Sequence, residues 1–170
     1  MKTTLLSLVL LITIDATAQG LKKYPVSNSG CFIYSYCDSK YDVDKSEDSS
    51  LVYTGGCAVA DITYGTICIK LLNPVADLTI AEDLVISYLD YLKLNFEIKK
   101  ATGYGKGHYL NSNEKTRGIL DYWEDASLNK WKIKAWTDGK FIGIMYAFSK
   151  KELPEMKINA FLDSFRMPGM

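Results

Sequence analysis

The chain has 170 residues, of which 48% are hydrophobic, and its 20 Lys and Arg residues equal its 20 Asp and Glu residues in number. This balance argues against nonspecific nucleic-acid binding, which depends on excess positive charge, and gives no reason to expect attraction to anionic lipid. The length predicts one domain that can bury a hydrophobic core of its own.

The N-terminus has the order of a secretory signal peptide. Lys2 supplies a positive charge, Leu5–Ile14 is largely apolar, and Ala16-Thr17-Ala18 fits the small-x-small pattern before a cleavage site. We expect cleavage after Ala18, so that residues 1–18 are the signal peptide and the mature protein is periplasmic or extracellular. No later segment is long and apolar enough to be a predicted transmembrane helix.

Four cysteines in an exported chain predict two disulfides. Cys31, Cys37, Cys57 and Cys68 include no Cys-x-x-Cys pair and the chain has one His, so we expect no metal site. Cys31 and Cys37 would be about 20 Å apart in an extended strand, too far to bond. A short β-hairpin would place Cys57 opposite Cys68, whereas a longer one would place Cys31 opposite Cys57. The sequence favours Cys57–Cys68 and leaves the other pair open.

The first half of the mature chain predicts a β-rich segment. Residues 19–30 are expected to be a flexible lead-in to a single globular domain, residues 31–170, which opens with a strand over Cys31–Cys37. The acidic segment Asp38–Ser50 predicts a solvated loop. Strand-like runs follow at Leu51–Ala60 and Thr66–Leu72.

A helix is predicted from Thr79 to about Asn95. Thr79 and Glu82 have the spacing of a capping box, in which each side chain accepts a hydrogen bond from a backbone N–H group. Apolar side chains recur at helical spacing and are expected to face the sheet. They are Ile80, Leu84, Tyr88, Tyr91 and Leu92.

Two further strands are predicted before the final hairpin. Glu97–Tyr109 is interrupted by glycines, and because this run follows a helix and precedes strand-like sequence, it lacks the context of a phosphate-binding loop. The next strand covers Gly118–Glu124. The single histidine, His108, is more typical of a structural residue than of a catalytic base.

The segment Trp131–Tyr146 predicts a β-hairpin closed by a two-residue turn at Asp138-Gly139. In that register Ala135 faces Ile142, and Trp131 faces Tyr146. These residues share one face of the hairpin, and that face must be covered.

The other face of the hairpin predicts a contact surface. A solvated sheet face should not collect aromatic residues without reason, and aromatics and Met mixed with Lys are typical of protein interfaces. The alternative is that the loop 38–50 or the lead-in 19–30 folds over this face. The candidate binding residues are Tyr122, Trp136, Phe141 and Met145, together with His108.

A terminal helix beginning near Pro154 completes the predicted fold. Its apolar stripe consists of Ile158, Phe161, Leu162 and Phe165. The sequence therefore predicts an α+β fold with an antiparallel sheet of about six to seven strands. Two helices are expected to pack on one face of that sheet.

The order strands–helix–strands–helix, with Ser164-Phe165-Arg166 closing the last helix, resembles the PsbP-like superfamily over roughly residues 31–167. That superfamily includes an extrinsic photosystem II subunit, a Ran-binding protein and small bacterial envelope proteins. Its members are mostly binding or accessory modules, so the resemblance implies no catalytic residues. The candidate disulfides are not part of its general pattern.

The sequence contains no set of nucleophile, base and orienting residue that would predict catalysis. We therefore expect an exported accessory or binding domain that uses no cofactor and contacts another envelope or extracellular protein, or a ligand. The alternative is a small envelope hydrolase that uses His108 with a nearby carboxylate. The position of His108 discriminates between the two, because a catalytic histidine should lie in a pocket beside Asp or Glu.

Overall fold

A computed structural model describes residues 20–103 and 105–170, and the predicted signal peptide lies outside the described residues. Within the described part of the chain, five strands, a helix, five strands and a second helix follow one another. The strands are β1 Lys22–Pro25, β2 Phe32–Ser35, β3 Lys40–Lys45, β4 Leu51–Val59, β5 Ile62–Lys70, β6 Ile98–Ala101, β7 Gly105–His108, β8 Arg117–Asp125, β9 Lys130–Thr137 and β10 Phe141–Ser149. The helices are α1 Leu78–Asn95 and α2 Glu155–Leu162.

Eight of the strands form one antiparallel sheet, and β1 pairs with β2 in a separate hairpin. The strand order of the main sheet is β3-β4-β5-β10-β9-β8-β6, and β7 also pairs with β8. The α+β class is confirmed, but the expected six to seven strands were too few. The predicted loop 38–50 contains the exposed edge strand β3, and the predicted lead-in contains β1.

The two helices lie on opposite faces of the main sheet, which corrects the expectation that both pack on one face. Side chains alternate between faces along β10, so Ile144 and Met145 point in opposite directions. Ile144 belongs to the hydrophobic cluster with α1, and Met145 belongs to the cluster with α2. The physical reason is that β10 has apolar residues at both odd and even positions, so both of its faces must be covered by other elements.

The N-terminal hairpin β1–β2 shares the α2 side of the sheet. Val26 and Ile33 are buried in the same cluster as α2, and the backbone of Phe32 exchanges two hydrogen bonds with Arg166 at 3.0 and 2.8 Å. Part of the predicted lead-in therefore covers this face of the sheet. This was the alternative to an open contact surface.

The β9–β10 hairpin has the expected faces but not the expected register. Ala135 pairs with Ile144, and Thr137 with Ile142, so the predicted pairing of Ala135 with Ile142 is wrong. The Asp138 carboxylate accepts hydrogen bonds from the N–H groups of Lys140 and Phe141, at 2.9 and 2.8 Å. This side-chain turn lengthens the connection by two residues, and a shift of two residues keeps every side chain on its face.

The disulfide joins Cys37 to Cys57, with an S–S distance of 2.08 Å, and the predicted Cys57–Cys68 bond is absent. The β4–β5 hairpin turns at Ala60-Asp61, two residues earlier than the predicted pairing requires. Cys57 therefore pairs across the strands with Tyr64 rather than with Cys68. Cys31 and Cys68 are buried thiols.

The N-cap of helix α1 lies two residues before the predicted cap. The Asp77 carboxylate accepts a hydrogen bond from the Thr79 N–H group at 2.8 Å, and so caps the helix in place of Thr79. The buried carboxylate of Glu82 instead accepts from the N–H group of Gly107 at 2.9 Å. Glu82 therefore fastens α1 to β7 and does not serve the predicted capping box.

Candidate functional site

An open groove of about 660 Å³ lies between α1 and the β3–β4 end of the main sheet. Helix α1 packs over β8 and β9 and next to β6, so a groove remains between the helix and the outer strand β4, where Val52 is half-buried and Thr54 is exposed. We refer to this cavity as the α1 groove. It is bounded by α1, by the sheet, and by the turn that joins β3 to β4.

The floor of the α1 groove is apolar and comes from three adjacent strands. Val52 pairs with Ile69 between β4 and β5, and Ile67 pairs with Ile144 between β5 and β10. These registers place the four side chains next to one another on one sheet face. Thr54, the next residue on this face of β4, is exposed at the outer side of the floor.

The wall formed by α1 corrects the predicted orientation of this helix. The residues that pack onto the sheet are Ala81, Val85 and Leu89, whereas Ile80 and Tyr91 are 59% and 63% exposed. The apolar arc of α1 is wider than one sheet contact, because it extends from Ile80 round to Leu89. The rest of the arc consists of Leu84, Tyr88, Tyr91 and Leu92 and lines the groove, with Tyr91 at its exposed edge.

The opposite wall is an acidic turn. Asp44, Glu47 and Asp48 are exposed at the rim, with Lys45 as the one basic residue in this turn. Hydrogen bonds from the side chain of Ser46 and then from Ser50 hold the pKa of the Asp48 carboxyl below its usual value. The rim therefore remains negatively charged at neutral pH.

Tyr88 connects the helical wall to this turn. Burial raises the pKa of the Tyr88 hydroxyl, and the side chain of Ser46 acts in the opposite direction by hydrogen bonding to it. Ser50 anchors the turn to the sheet, because its hydroxyl accepts a hydrogen bond from the Leu72 N–H group at 3.0 Å. The groove is thus closed at one end by residues that are themselves held in place.

A second cavity, of about 580 Å³, surrounds Tyr122 on the side of the sheet that carries α2. Tyr122 is 40% exposed, and the Lys132 ammonium lies 5.5 Å from its ring centroid. The Lys132 ammonium also lies 3.5 Å from the Glu155 carboxylate, and Lys100 pairs with Glu124 at 2.7 Å. Because each of these two pairs is neutral, the four residues give the cavity no net charge that could attract a ligand.

The other three residues of the predicted contact surface lie in the core. Trp136, Phe141 and Met145 are 4%, 8% and 0% exposed, in the cluster that includes α2. The Trp136 indole N–H donates to the backbone oxygen of Leu162 at 3.0 Å. The expectation that this face is open was wrong because α2 and the N-terminal hairpin cover it.

His108 lies on the exposed strand β7, at the margin of the sheet. Among the described residues no carboxylate oxygen lies within 4.0 Å of its ring nitrogens, and His108 lines neither of the two cavities. In the described part of the chain His108 therefore lacks the neighbouring carboxylate that the hydrolase alternative expects.

The groove residues were not among the sequence-based candidates. The signal for them was the apolar surface of α1, which is larger than its predicted stripe because Ile86 and Leu94 lie outside that stripe. A helix with more apolar surface than one sheet contact can bury indicates either a second cover or an open groove.

Metal-ligating clusters of three or more His, Cys, Asp or Glu residues do not occur among residues 20–103 and 105–170. Neither described helix combines the length and apolar character that crossing a membrane requires. A scan against models of known protein families and a search of curated proteins both find no match to this sequence.

Proposed function

We propose that this chain is an exported binding domain whose α1 groove accepts an extended apolar protein segment that carries positive charge. The observation that carries the proposal is a groove bordered by an acidic turn, whose outer apolar side chains, Val52 on the floor and Tyr91 on the helical wall, are only partly covered. The occupant is taken to be part of another envelope or extracellular protein. The resemblance to the PsbP-like superfamily remains a prediction, and it favours the same class of function because members of that superfamily are mostly binding or accessory modules.

The apolar part of the proposal rests on side chains that are not fully covered. Val52 is half-buried, Leu84 and Tyr88 are half-buried on the facing helix, and Tyr91 is 63% exposed beside them. A concave site lined by aliphatic and aromatic side chains is the usual form of a ligand pocket. Covering it with apolar atoms of a partner would remove that surface from water, which favours binding.

The charge preference rests on the composition of the rim. The rim has three acidic residues, Asp44, Glu47 and Asp48, and one basic residue, Lys45. A further acidic residue, Asp42, lies on the same face of β3 as Asp44 and pairs with Thr54. A segment with Lys or Arg flanking its apolar residues would meet a complementary potential, whereas an acidic segment would be repelled. Because the rim is exposed to solvent, this preference should weaken as ionic strength rises.

Two labelled peptides of equal length test the proposal, one alternating Leu with Lys and the other alternating Leu with Glu. We expect the basic peptide to bind at least about tenfold more tightly at low salt, as measured by fluorescence anisotropy. The double variant Asp44→Lys/Glu47→Lys should reverse this order. Equal binding of both peptides by the wild-type protein would contradict the charge preference.

Tyr91→Ser tests the apolar wall of the groove. This exposed residue contributes little to the core, so the variant should fold normally and bind the basic peptide several-fold more weakly. The matched control is Met156→Ser, because Met156 is 88% exposed on α2, on the other side of the sheet. If both variants lost binding equally, or if neither variant lost binding, the peptide would not occupy the groove.

Export itself is tested at the N-terminus. Expression of the full-length gene with intact-mass analysis of the envelope and medium fractions should give a chain that begins at Gln19, because Ala16-Thr17-Ala18 has the pattern of a cleavage site. A product that retains residues 1–18 would contradict the proposed location. The Cys37–Cys57 disulfide fits an exported protein, since disulfides persist mainly in oxidising compartments.

A further inference from the structure

Two buried thiols lie against each other between the N-terminal hairpin and the main sheet. Cys31 precedes β2 and is 2% exposed, and Cys68 in the middle of β5 is 0% exposed. Both belong to the hydrophobic cluster on the α2 side of the sheet. Each thiol is the leading influence on the other, because hydrogen bonding between them lowers the pKa of Cys31 and raises that of Cys68.

The backbone holds Cys31 at this place independently of its thiol. The Cys31 N–H group donates to the Ser29 hydroxyl at 3.0 Å, and its carbonyl accepts from the Val26 N–H group at 2.9 Å. The next residue, Phe32, is paired through its backbone to Arg166. Backbone contacts on both of its sides therefore fix Cys31 within the cluster that also contains Cys68.

The four cysteines are divided equally between the hairpin and the main sheet. Cys31 and Cys37 flank β2, while Cys57 on β4 pairs with Tyr64, four residues before Cys68 on β5. One end of β2 is already bonded to the sheet through Cys37–Cys57. The other end places Cys31 against Cys68, so both cysteine pairs connect the same two layers.

We propose that Cys31 and Cys68 form a second disulfide in the exported protein, which gives the pairing Cys31–Cys68 and Cys37–Cys57. The two thiols would reduce one disulfide of a thiol oxidoreductase, or glutathione disulfide in vitro. One sulfur–sulfur bond forms in the chain, the bond of the oxidant breaks, and the two thiol protons end on the two thiols released from it. The step precedes final burial, while Cys31 and Cys68 are still open to the oxidant.

The two bonds would differ in their resistance to reduction. Cys37 and Cys57 are half-buried, whereas Cys31 and Cys68 are enclosed by the core. A thiol reagent has to reach a sulfur atom to exchange with it. We infer that mild reduction of the folded protein opens Cys37–Cys57 first and that Cys31–Cys68 opens only when the hairpin leaves the sheet.

Thiol counting on protein purified from the exporting compartment tests the pairing. After rapid alkylation in denaturant, we expect no alkylated cysteine in the untreated protein, and non-reducing peptide mapping should recover a peptide pair containing Cys31 and Cys68. Mild reduction without denaturant should leave only Cys37 and Cys57 alkylated. Alkylation of Cys31 and Cys68 in untreated protein, or recovery of any other pairing, would overturn the proposal.

A matched pair of variants separates the two bonds. Cys37→Ala/Cys57→Ala should still contain no free thiol, because Cys31–Cys68 forms without the first bond. Cys31→Ala/Cys68→Ala should keep Cys37–Cys57 and melt roughly 10 °C lower than the wild type when both are oxidised. Addition of a reductant in denaturant, followed by refolding under reducing conditions, should abolish most of that difference. Two free thiols in the first variant would overturn the proposal.

Discussion

Replacing Trp136 with Ala should lower the free energy of unfolding by about 3–5 kcal/mol, the range measured when large buried aromatic residues are truncated. Trp136 is 4% exposed, and its indole packs directly over Gly118, where an added Cβ atom would lie 2.2 Å from the ring. Truncation also leaves the backbone oxygen of Leu162 without its hydrogen-bond donor. Urea denaturation followed by circular dichroism measures the loss.

The control for Trp136 is Tyr122, an aromatic residue on the neighbouring strand that is 40% exposed. Tyr122→Ala should lower the free energy of unfolding by less than about 1 kcal/mol, because the ring is partly exposed to solvent and lies beside the flexible Lys132 side chain. Equal, small losses in the two variants would mean that α2 does not cover this face of the sheet. That result would support the prediction that this face is an open contact surface.

Replacing Gly139 with Val should lower the free energy of unfolding by about 3–5 kcal/mol through two separate effects. The backbone φ angle of Gly139 is +80°, a conformation that β-branched residues rarely adopt. In addition, a Cβ atom at this position would lie 2.0 Å from the backbone oxygen of Val75. The Val75 N–H group donates to the Gly139 carbonyl at 2.7 Å, so the segment before α1 cannot move away without losing this bond.

Gly107 separates the two effects, because it has nearly the same φ angle, +79°, with no neighbouring atom within 4 Å of an added Cβ. Gly107→Val should therefore cost only the conformational part, about 1–3 kcal/mol. Denaturation midpoints of the two variants give the difference directly. Equal midpoints would show that the contact with Val75 does not restrain the turn.

The faces of the strands could be predicted from the sequence more reliably than their registers. Alternation of apolar and polar residues placed Ile133, Ala135 and Ile144 on one face, and the structure agrees. The register depends on the turn, and the side chain of Asp138 makes a longer turn than the Asp-Gly pair alone indicates. The same kind of error, two residues in the β4–β5 turn, produced the wrong disulfide.

The positions of the helices could not be read from their own sequences. Ile158, Phe161 and Leu162 on α2 are fully buried as predicted, and so is Phe165, although the helix ends at Leu162, before the predicted end of the stripe. A helix does not, however, indicate which face of a sheet it covers. That information was in β10, where Phe141 through Met145 are all buried. A strand that is apolar on both faces requires a covering layer on each face, whereas both helices were predicted on the same face.

The candidate site was missed for a related reason. The groove is lined by α1 residues that were expected to contact the sheet, so the exposed surface at Tyr91 was counted as core. Side-chain periodicity gives the width of an apolar arc but not the part of it that reaches another layer. Only the three-dimensional placement of α1 over β8 and β9 reveals that a groove remains beside β4.

The edge strand β3 has a consequence for self-association. Its exposed N–H and C=O groups could template a strand from a neighbouring molecule, as open sheet edges do in aggregation. Its side chains are Lys40, Tyr41, Asp42, Val43, Asp44 and Lys45, so an incoming strand would have to strip water from four charged groups. The charges that make the groove rim acidic therefore also stop the sheet from growing into a fibril.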